Sequence, residues 1–318
     1  MYSKLKQDSG SEMALGISKS ILNLVKIIQE KKPDLIFAGF DIGANLAASI
    51  VGSHLNIPVA HIEGGEISGT IDESIRHATT KFSHLHFVTH IEAKNRLMRL
   101  GENPKYIHVV GNPSLDSIKE IKNIPKKDLE KEFSINLSKP FFIILQHTVT
   151  SEIKTIDKLF KKTIDAVNQS NVQSILIYGN ADAGSEKILK QLKKSKKSKI
   201  KQYPSLKFEK FINLLKHSNG LIGNSSCGIM ECPYLKIPSI NIGTRQAGRM
   251  HSSSVIDTQY DENQIKDAIK KILFDESFKK NLKNIPSIYG NGDSSKKIIK
   301  ILEKINLKEI PLQKRMYE

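Results

Sequence analysis

The chain has 318 residues, 39% of them hydrophobic, and a net charge of +16. This length predicts two domains of ordinary size, and no apolar run reaches the length of a membrane span. The two cysteines, Cys227 and Cys232, form no CxxC pair, which indicates a reduced, cytoplasmic setting without disulfides. The lysines are dispersed and carry no aromatic-interleaved stripe. Nucleic-acid binding is therefore not favoured, and an anionic small-molecule substrate accounts for the charge equally well.

Strand and helix patterns alternate along the whole chain, which predicts an α/β fold with parallel sheets in two lobes. We expect an N-terminal lobe over 1–118, a C-terminal lobe over 119–292, and a helix and tail over 293–318. The predicted strands are 34–39, 59–62, 85–88, 107–110, 141–145, 174–178, 200–202, 221–223, 239–242 and 254–256. The predicted helices include 13–29, 44–55, 126–133, 154–168, 262–274 and 294–305, with one more ending near 81.

The stretch VAHIEGGEISGTIDESIRH, residues 59–77, is a predicted strand, glycine-rich loop and helix that carries four carboxylates. Thr70 and Glu73 have the spacing of a capping box, and Asp72 is within salt-bridge range of Arg76. Glu66 is explained as a solvated loop acid and Glu73 as a cap partner. Glu63 directly ends an apolar strand, so a functional role is favoured for it, while Asp72 stays open. A second capping box is predicted for Thr89 with Glu92.

Polar residues and glycines follow the predicted strands in both lobes. Ligands of open parallel sheets bind at the carboxyl ends of the strands, so this pattern suits one ligand held between two facing sheets. The positions are Asp41, Glu63-Gly64-Gly65, Gln146-His147-Thr148, Gly179-Asn180, Asn224-Ser225-Ser226 and Gly243-Thr244-Arg245.

The stretch LIGNSSCGIME, residues 221–231, predicts a strand, a turn and a helix start. Ser225 or Ser226 would cap the helix and expose backbone N–H groups to an anion, and Gly223 and Gly228 would permit its close approach. An ordinary serine-capped helix explains the same pattern.

Several other polar residues have a functional and a structural explanation. Glu231 would bind sugar hydroxyls or be solvated, and Arg245 and Arg249 would contact phosphate or lie at the surface. His147 follows the strongest apolar strand, where a ligand or acid–base role and a hydrogen-bonded loop role are about equal. No metal site is expected, because His77, His84, His86 and His90 follow no known zinc pattern.

Three segments together resemble the hydrolysing UDP-N-acetylglucosamine 2-epimerases of sialic and legionaminic acid biosynthesis. They are HIEGGEISGTIDESIRHATTKFSHLHFV, VVGNPSLD and GNSSCGIMECPYLKIPSINIGTRQAGR. The resemblance implies two Rossmann-like lobes in a GT-B-type arrangement and release of UDP from a UDP-sugar substrate. The product would be N-acetylmannosamine or a 6-deoxy diacetamido analogue. No cofactor and no membrane or nucleic-acid partner are implied, and a homo-oligomer is expected.

By position, the resemblance assigns catalysis to Asp41, Glu63, Asp72 and His147. It assigns nucleotide binding to Ser225, Ser226 and Glu231; Gly228, Arg245 and Arg249 are added to this set as candidates. It thereby favours Asp72 over Glu73.

One departure concerns the start of the chain. The family begins with a strand and a GTRADxG-type loop that precede the segments matched here. We therefore expect an incomplete N-terminal lobe that lacks a βαβ unit, with poor solubility or oligomerisation and little activity. Two alternatives to the epimerase remain open: a truncated, inactive or partner-dependent sugar-nucleotide-binding homologue, and a GT-B-type glycosyltransferase.

Overall fold

The computed structural model describes residues 9–40, 42–179, 187–188 and 200–318. The chain folds into two compact units, one formed by 1–116 with 289–318 and the other by 117–288. Each unit contains one wholly parallel sheet among the described residues. The predicted α/β class with two Rossmann-like lobes is confirmed. No described helix combines the length and the apolar character that crossing a membrane requires.

The first unit has a four-stranded parallel sheet in the order β1-β2-β3-β4. Its central strands are buried on both faces, as parallel strands covered by crossover helices require. The strands are β1 Ile36–Gly39, β2 Val59–Ile62, β3 Leu85–Val88 and β4 Ile107–Val109. The helices are α1 Gly10–Lys31, α2 Gly43–His54, α3 Ile71–Phe82, α4 Ile91–Arg99 and α5 Ser114–Glu120, the last of which runs into the second unit.

The C-terminal segment completes the first unit. Helix α12, Ser294–Leu302, has no cap from its own Asp293. The carboxylate of Asp116 instead accepts the N–H groups of Ser294 (3.0 Å) and Ser295 (2.6 Å). An anion at a helix start stabilises the unpaired amides and the helix dipole. Ile298 then packs into the same core as Phe87 of β3.

The second unit has a six-stranded parallel sheet in the order β10-β9-β8-β5-β6-β7. Phe142 and Ile144 of the central strand β5 are fully buried in a hydrophobic core of this unit. The strands are β5 Phe141–Gln146, β6 Gln173–Tyr178, β7 Ile200–Tyr203, β8 Gly220–Gly223, β9 Ser239–Ile242 and β10 Val255–Thr258. The helices are α6 Lys126–Phe133, α7 Ile156–Gln169, α8 Phe208–His217, α9 Glu231–Tyr234, α10 Glu262–Phe274 and α11 Glu276–Leu282.

Two local predictions about helix starts need correction. The N-cap of α4 is His90 rather than Thr89, because the imidazole Nδ1 accepts the Ala93 N–H at 3.1 Å. The predicted helix after Ser225 is interrupted: a 3₁₀ helix spans Ser226–Gly228, and α9 begins three residues later. A 3₁₀ turn has poorer hydrogen-bond geometry and rarely exceeds one turn.

Candidate active site

Glu63 is a buried acid in unusual backbone at the carboxyl end of β2. Its φ is +66°, a region that non-glycine residues enter at a cost of about 1–2 kcal/mol. Its backbone N–H donates to the carbonyl of Phe87 on β3 at 3.1 Å, and the residue is 7% exposed. Strain of this kind at the end of a parallel strand is typical of functional sites.

The neighbouring strand β1 ends in the same way. Phe40 follows β1 with φ +66°, and the register pairs Gly39 with Ile62, so Phe40 and Glu63 occupy matching positions on adjacent strands. The N–H of Phe40 donates to the carbonyl of Ile62 at 3.4 Å. Asp41 comes next, but it lies outside the described residues, so its predicted catalytic role stays a prediction.

Asp72 lies in the first turn of α3 and is half-buried. Thr70 caps this helix as predicted and accepts the Asp72 N–H at 3.1 Å. Glu73 does not reach back to Thr70 as a capping box requires; its carboxylate accepts the Ser68 N–H at 2.6 Å and lies 3.3 Å from the His77 ring. Glu73 therefore holds the loop, which leaves the assignment of catalysis to Asp72 intact as a prediction.

Glu66 is not a solvated loop acid, contrary to the sequence-based expectation. It is 1% exposed, and its carboxylate accepts a hydrogen bond from the Thr89 hydroxyl. Arg76, also 1% exposed, donates to the Glu66 carbonyl at 3.1 Å. The loop thus contains two buried acids, of which only Glu63 was recognised from the sequence.

In the second unit, the order of the strands marks the place where a ligand would bind. The chain passes from β5 to β6 and β7 on one side and then to β8, β9 and β10 on the other. In open α/β sheets, the crevice at such a reversal binds the ligand at the carboxyl ends of the strands. Gly223 ends β8 there with φ +143°, and a Cβ on it would lie 2.0 Å from the Leu145 carbonyl oxygen. Only glycine fits at this position.

His147 follows β5 at this reversal. Its backbone N–H donates to Asn224 Oδ1 at 2.7 Å, and Asn224 Nδ2 donates to the His147 carbonyl at 2.9 Å. Burial, and then the positive charge of Arg245, lower the pKa of the imidazole to about 3. His147 is therefore neutral at physiological pH. A neutral imidazole can form hydrogen bonds to a bound molecule but is not poised to act as a general acid.

Asn224, one of the polar positions at strand ends noted from the sequence, is the centre of a hydrogen-bond network that the sequence did not predict. Arg245 and Gln246 donate to its carbonyl at 3.2 and 2.9 Å, and Arg249 donates to the Gln246 side chain at 3.0 Å. Arg249 is 7% exposed. The sequence signal for Asn224 was the same as for Glu63, since both directly end an apolar strand.

Two of the candidate nucleotide-binding residues after β8, Ser225 and Gly228, have local structural roles. Ser225 accepts the Cys227 N–H at 3.3 Å. Gly228 packs against β9, because its carbonyl accepts the Ser239 hydroxyl at 2.7 Å and a Cβ on it would lie 3.1 Å from the Ser239 Cβ. This packing explains Gly228 without a ligand. Contacts of the nucleotide with Ser225, Ser226, Gly228 and Glu231 stay predictions.

Glu152 and Tyr260 add a second polar pair on the same unit. The Tyr260 hydroxyl donates to Glu152 at 3.2 Å, and the Thr244 hydroxyl donates to its other oxygen at 3.0 Å. Burial, followed by the charge of Glu152, raises the pKa of the Tyr260 phenol. The phenol therefore stays protonated as a hydrogen-bond donor. Neither residue was singled out from the sequence.

Among the described residues, no group of three or more His, Cys, Asp or Glu side chains could hold a metal ion. The first unit carries buried and half-buried acids at the end of β2. The second unit carries a neutral histidine, two arginines and amide side chains at the ends of β5 and β8. These features define a Rossmann-like α/β protein with polar residues at the carboxyl ends of its parallel strands.

The chain belongs to the UDP-N-acetylglucosamine 2-epimerase family, whose model matches residues 1–303. It is 37% identical over 265 residues to a UDP-N-acetylglucosamine 2-epimerase of Neisseria meningitidis, covering 83% of this chain and 70% of that protein. It is 33% identical to the UDP-N,N'-diacetylbacillosamine 2-epimerase (hydrolyzing) of Legionella pneumophila, covering 93% and 78%. The resemblance stated from the sequence motifs is confirmed, and the chain is a member of an enzyme family.

The fold agrees with solved structures of such enzymes. The crystal structure of a UDP-GlcNAc 2-epimerase from Neisseria meningitidis bound to UDP-GlcNAc superposes with a TM-score of 0.79. The two chains are 20% identical in this comparison, which covers 94% of this chain and 83% of that one. At this identity, the likeness establishes the fold.

Proposed function

We propose that this protein is a hydrolysing 2-epimerase that converts UDP-N-acetylglucosamine and water to UDP and N-acetylmannosamine. Glu63 carries the proposal, because a carboxylate can accept a weakly acidic sugar proton, and this one is buried at a strand end in the strained backbone that is common at functional sites. The family relation supports the same substrate class.

The reaction divides between two kinds of group. A carboxylate of the set Asp41, Glu63 and Asp72 takes the proton from C2 of the sugar, while the bond between C1 and the UDP oxygen breaks and UDP keeps the electron pair. The other carboxylates stabilise positive charge at the ring. Water then adds to the resulting glycal, with the hydroxyl at C1 and a proton at C2 from the opposite face.

The second unit supplies groups that suit the nucleotide. Arg245 and Arg249 are cations that can form bidentate contacts with a diphosphate. Neutral His147 can donate a hydrogen bond to a phosphate oxygen without changing its protonation state. The serines after β8 offer hydroxyls and backbone N–H groups to the same anion.

Incubation of the protein with UDP-N-acetylglucosamine in D2O, without an acceptor, tests the proposal. NMR should detect free UDP and N-acetylmannosamine that carries deuterium at C2. Epimerised sugar still attached to UDP would contradict the hydrolytic step. A glycosyltransferase would need an acceptor and would leave the C2 proton in place.

The diacetamido analogue is the second candidate substrate, because the Legionella pneumophila relative named for it aligns with 93% of this chain. A direct competition between UDP-N-acetylglucosamine and UDP-N,N'-diacetylbacillosamine, followed by NMR, compares the two kcat/KM values. The preferred sugar is the one consumed first from an equal mixture.

The product would supply sialic or legionaminic acid biosynthesis, and we propose a cytoplasmic homo-oligomer as the working form. The N-acetylmannosamine-type sugar is the precursor that the family resemblance implies. Size-exclusion chromatography with light scattering of the purified protein tests the oligomeric state.

A further inference from the structure

The second buried acid of the first unit, Glu66, is joined to the segment that follows β3. Its carboxylate accepts the hydroxyl hydrogen bond of Thr89. The Nε2 atom of His90 lies 3.0 Å from Glu66 Oε1, off the line of a well-directed hydrogen bond. Glu66 is 1% and His90 is 6% exposed. A buried carboxylate costs several kcal/mol unless such partners compensate it.

The tautomer of His90 follows from its role as a helix cap. Its Nδ1 atom accepts the Ala93 N–H at 3.1 Å, so Nδ1 carries a lone pair and no proton. The ring proton of the neutral imidazole must therefore lie on Nε2, the atom that faces Glu66. The ring also packs edge-on against Tyr289, with centroids 5.4 Å apart. His90 is thus fixed in both position and tautomer.

The backbone of the same loop is held by two arginines. We call residues 63–66 the Glu63 loop. Arg96 of α4 donates to the Gly65 carbonyl, and Arg76 of α3 donates to the Glu66 carbonyl. Gly65 itself lies so close to α4 that a Cβ would be 2.4 Å from the Ala93 carbonyl oxygen. The loop is therefore clamped to α3, to α4 and to the end of β3.

We propose that Glu66 and His90 are positioning residues that hold the Glu63 loop in its active conformation, an inference that rests on the function proposed above for Glu63. The left-handed backbone of Glu63 is strained and persists only if the surroundings determine it. The Glu66–His90 contact joins an acid of this loop to the N-cap residue of α4. It thereby fixes the direction of the Glu63 carboxylate without touching the substrate.

Two single variants test the link in the full-length protein. Glu66→Gln removes the charge and keeps the shape. His90→Asn keeps a side-chain oxygen for the Ala93 N–H, since asparagine is a good N-cap, but removes the Nε2 proton. Each should lower kcat for UDP release about tenfold to a hundredfold, because small displacements of a catalytic group cost that much. KM and the affinity for UDP should change less than about twofold. The double variant should be no slower than the slower single variant, since the link is lost only once.

Glu102→Gln is the matched control. Glu102 and His86 form an equivalent buried pair in the same unit, with Nε2 and Oε2 3.1 Å apart and exposures of 2% and 1%. This control should lower Tm and leave kcat at the wild-type value. An equal loss of kcat in all three variants would mean general destabilisation and would overturn the proposal. Wild-type kcat in Glu66→Gln would overturn it as well.

Two further measurements keep the outcome decisive. If Glu66→Gln does not fold, Thr89→Val removes the hydrogen bond of Thr89 to the same carboxylate and should also lower kcat. Hydrogen exchange of the amides of residues 63–66 should accelerate in His90→Asn and stay unchanged in Glu102→Gln. This readout needs no substrate, so an inactive wild type would count against the proposed function, while unchanged exchange in His90→Asn would count against the positioning role.

Discussion

Asn224 and His147 are joined by two reciprocal hydrogen bonds, from the His147 N–H to Asn224 Oδ1 at 2.7 Å and from Asn224 Nδ2 to the His147 carbonyl at 2.9 Å. One side chain thereby satisfies both backbone groups of the residue that follows β5. The bonds connect the ends of β5 and β8 at the point where the strand order reverses.

Asn224→Ala should destabilise the second unit and weaken UDP binding. The change removes the two hydrogen bonds that Asn224 makes to the buried N–H and carbonyl of His147, which costs about 1–3 kcal/mol. UDP affinity should fall at least about tenfold, a loss of about 1.4 kcal/mol, measured by calorimetry. Asn219→Ala is the control, because the Asn219 side chain accepts the Phe141 N–H at 3.0 Å where β5 begins. It should lower stability without changing UDP affinity. Similar affinity losses in both variants would show that the hydrogen bonds at the end of β5 have no specific role in UDP binding.

Glu63→Gln should abolish turnover and leave the fold intact. The amide keeps the shape of the side chain and its backbone conformation but cannot accept the C2 proton. A product assay and circular dichroism on the same sample measure the two effects. Glu92→Gln on α4, whose carboxylate accepts a hydrogen bond from Asn95 at 3.2 Å, should retain the wild-type rate. A rate equal to wild type in Glu63→Gln would remove this residue from the mechanism.

UDP should stabilise the protein against heat. A ligand that binds only the native state adds about 2.7 kcal/mol at a hundredfold excess over Kd. Ser226→Asp should remove the shift in Tm, because it places a negative charge where the diphosphate is proposed to bind. Ser226→Ala should keep most of the shift. Equal shifts in wild type and Ser226→Asp would place the nucleotide elsewhere.

His147 should make the folded protein sensitive to acid. Its pKa is about 3 when folded and 6.5 when unfolded, so the unfolded chain binds an extra proton between these values and stability falls as the pH drops from 6.5 towards 3. By pH 4 this single group should cost about 3 kcal/mol. His147→Gln leaves the backbone bonds to Asn224 in place and should lose less stability between pH 6.5 and 4. Urea unfolding across this range measures the difference; parallel curves for the two proteins would refute it.

Lys314→Ala should destabilise the first unit by about 2 kcal/mol, since it removes a half-buried cation that pairs with the buried carboxylate of Glu102. The Lys314 ammonium lies 2.5 Å from Glu102 and also contacts the carbonyls of Thr80 and Ser83 at the end of α3. Burial alone would raise the pKa of the Glu102 carboxyl. The hydrogen bonds and positive charges of His86 and Lys314 have the larger effect and lower this pKa to about 2. Lys308→Ala, at an exposed position of the same tail, is the control and should change stability little. Thermal or urea unfolding measures both.

The sequence by itself determined those strands, helices and helix caps that depend on residues close together along the chain. Apolar runs such as Phe141–Leu145 predict buried parallel strands, and the strand-end positions of Glu63 and His147 follow from where those runs stop. Helix Lys126–Phe133 has the predicted bounds, and Thr70 caps α3 as its spacing indicated. The three motif segments are also sufficient to identify the family.

Only the tertiary structure decided which distant residues meet. The pairing of β5 with β8 joins residues about 80 positions apart, and Asp116 caps a helix that begins at Ser294. The local sequence predicts a solvated acid at Glu66, yet its carboxylate is buried against Thr89 and His90, which follow the neighbouring strand β3. The physical reason is that periodicity and capping act over a few residues, whereas the burial of Glu66 and the charge state of His147 are set by groups that long-range folding brings into contact.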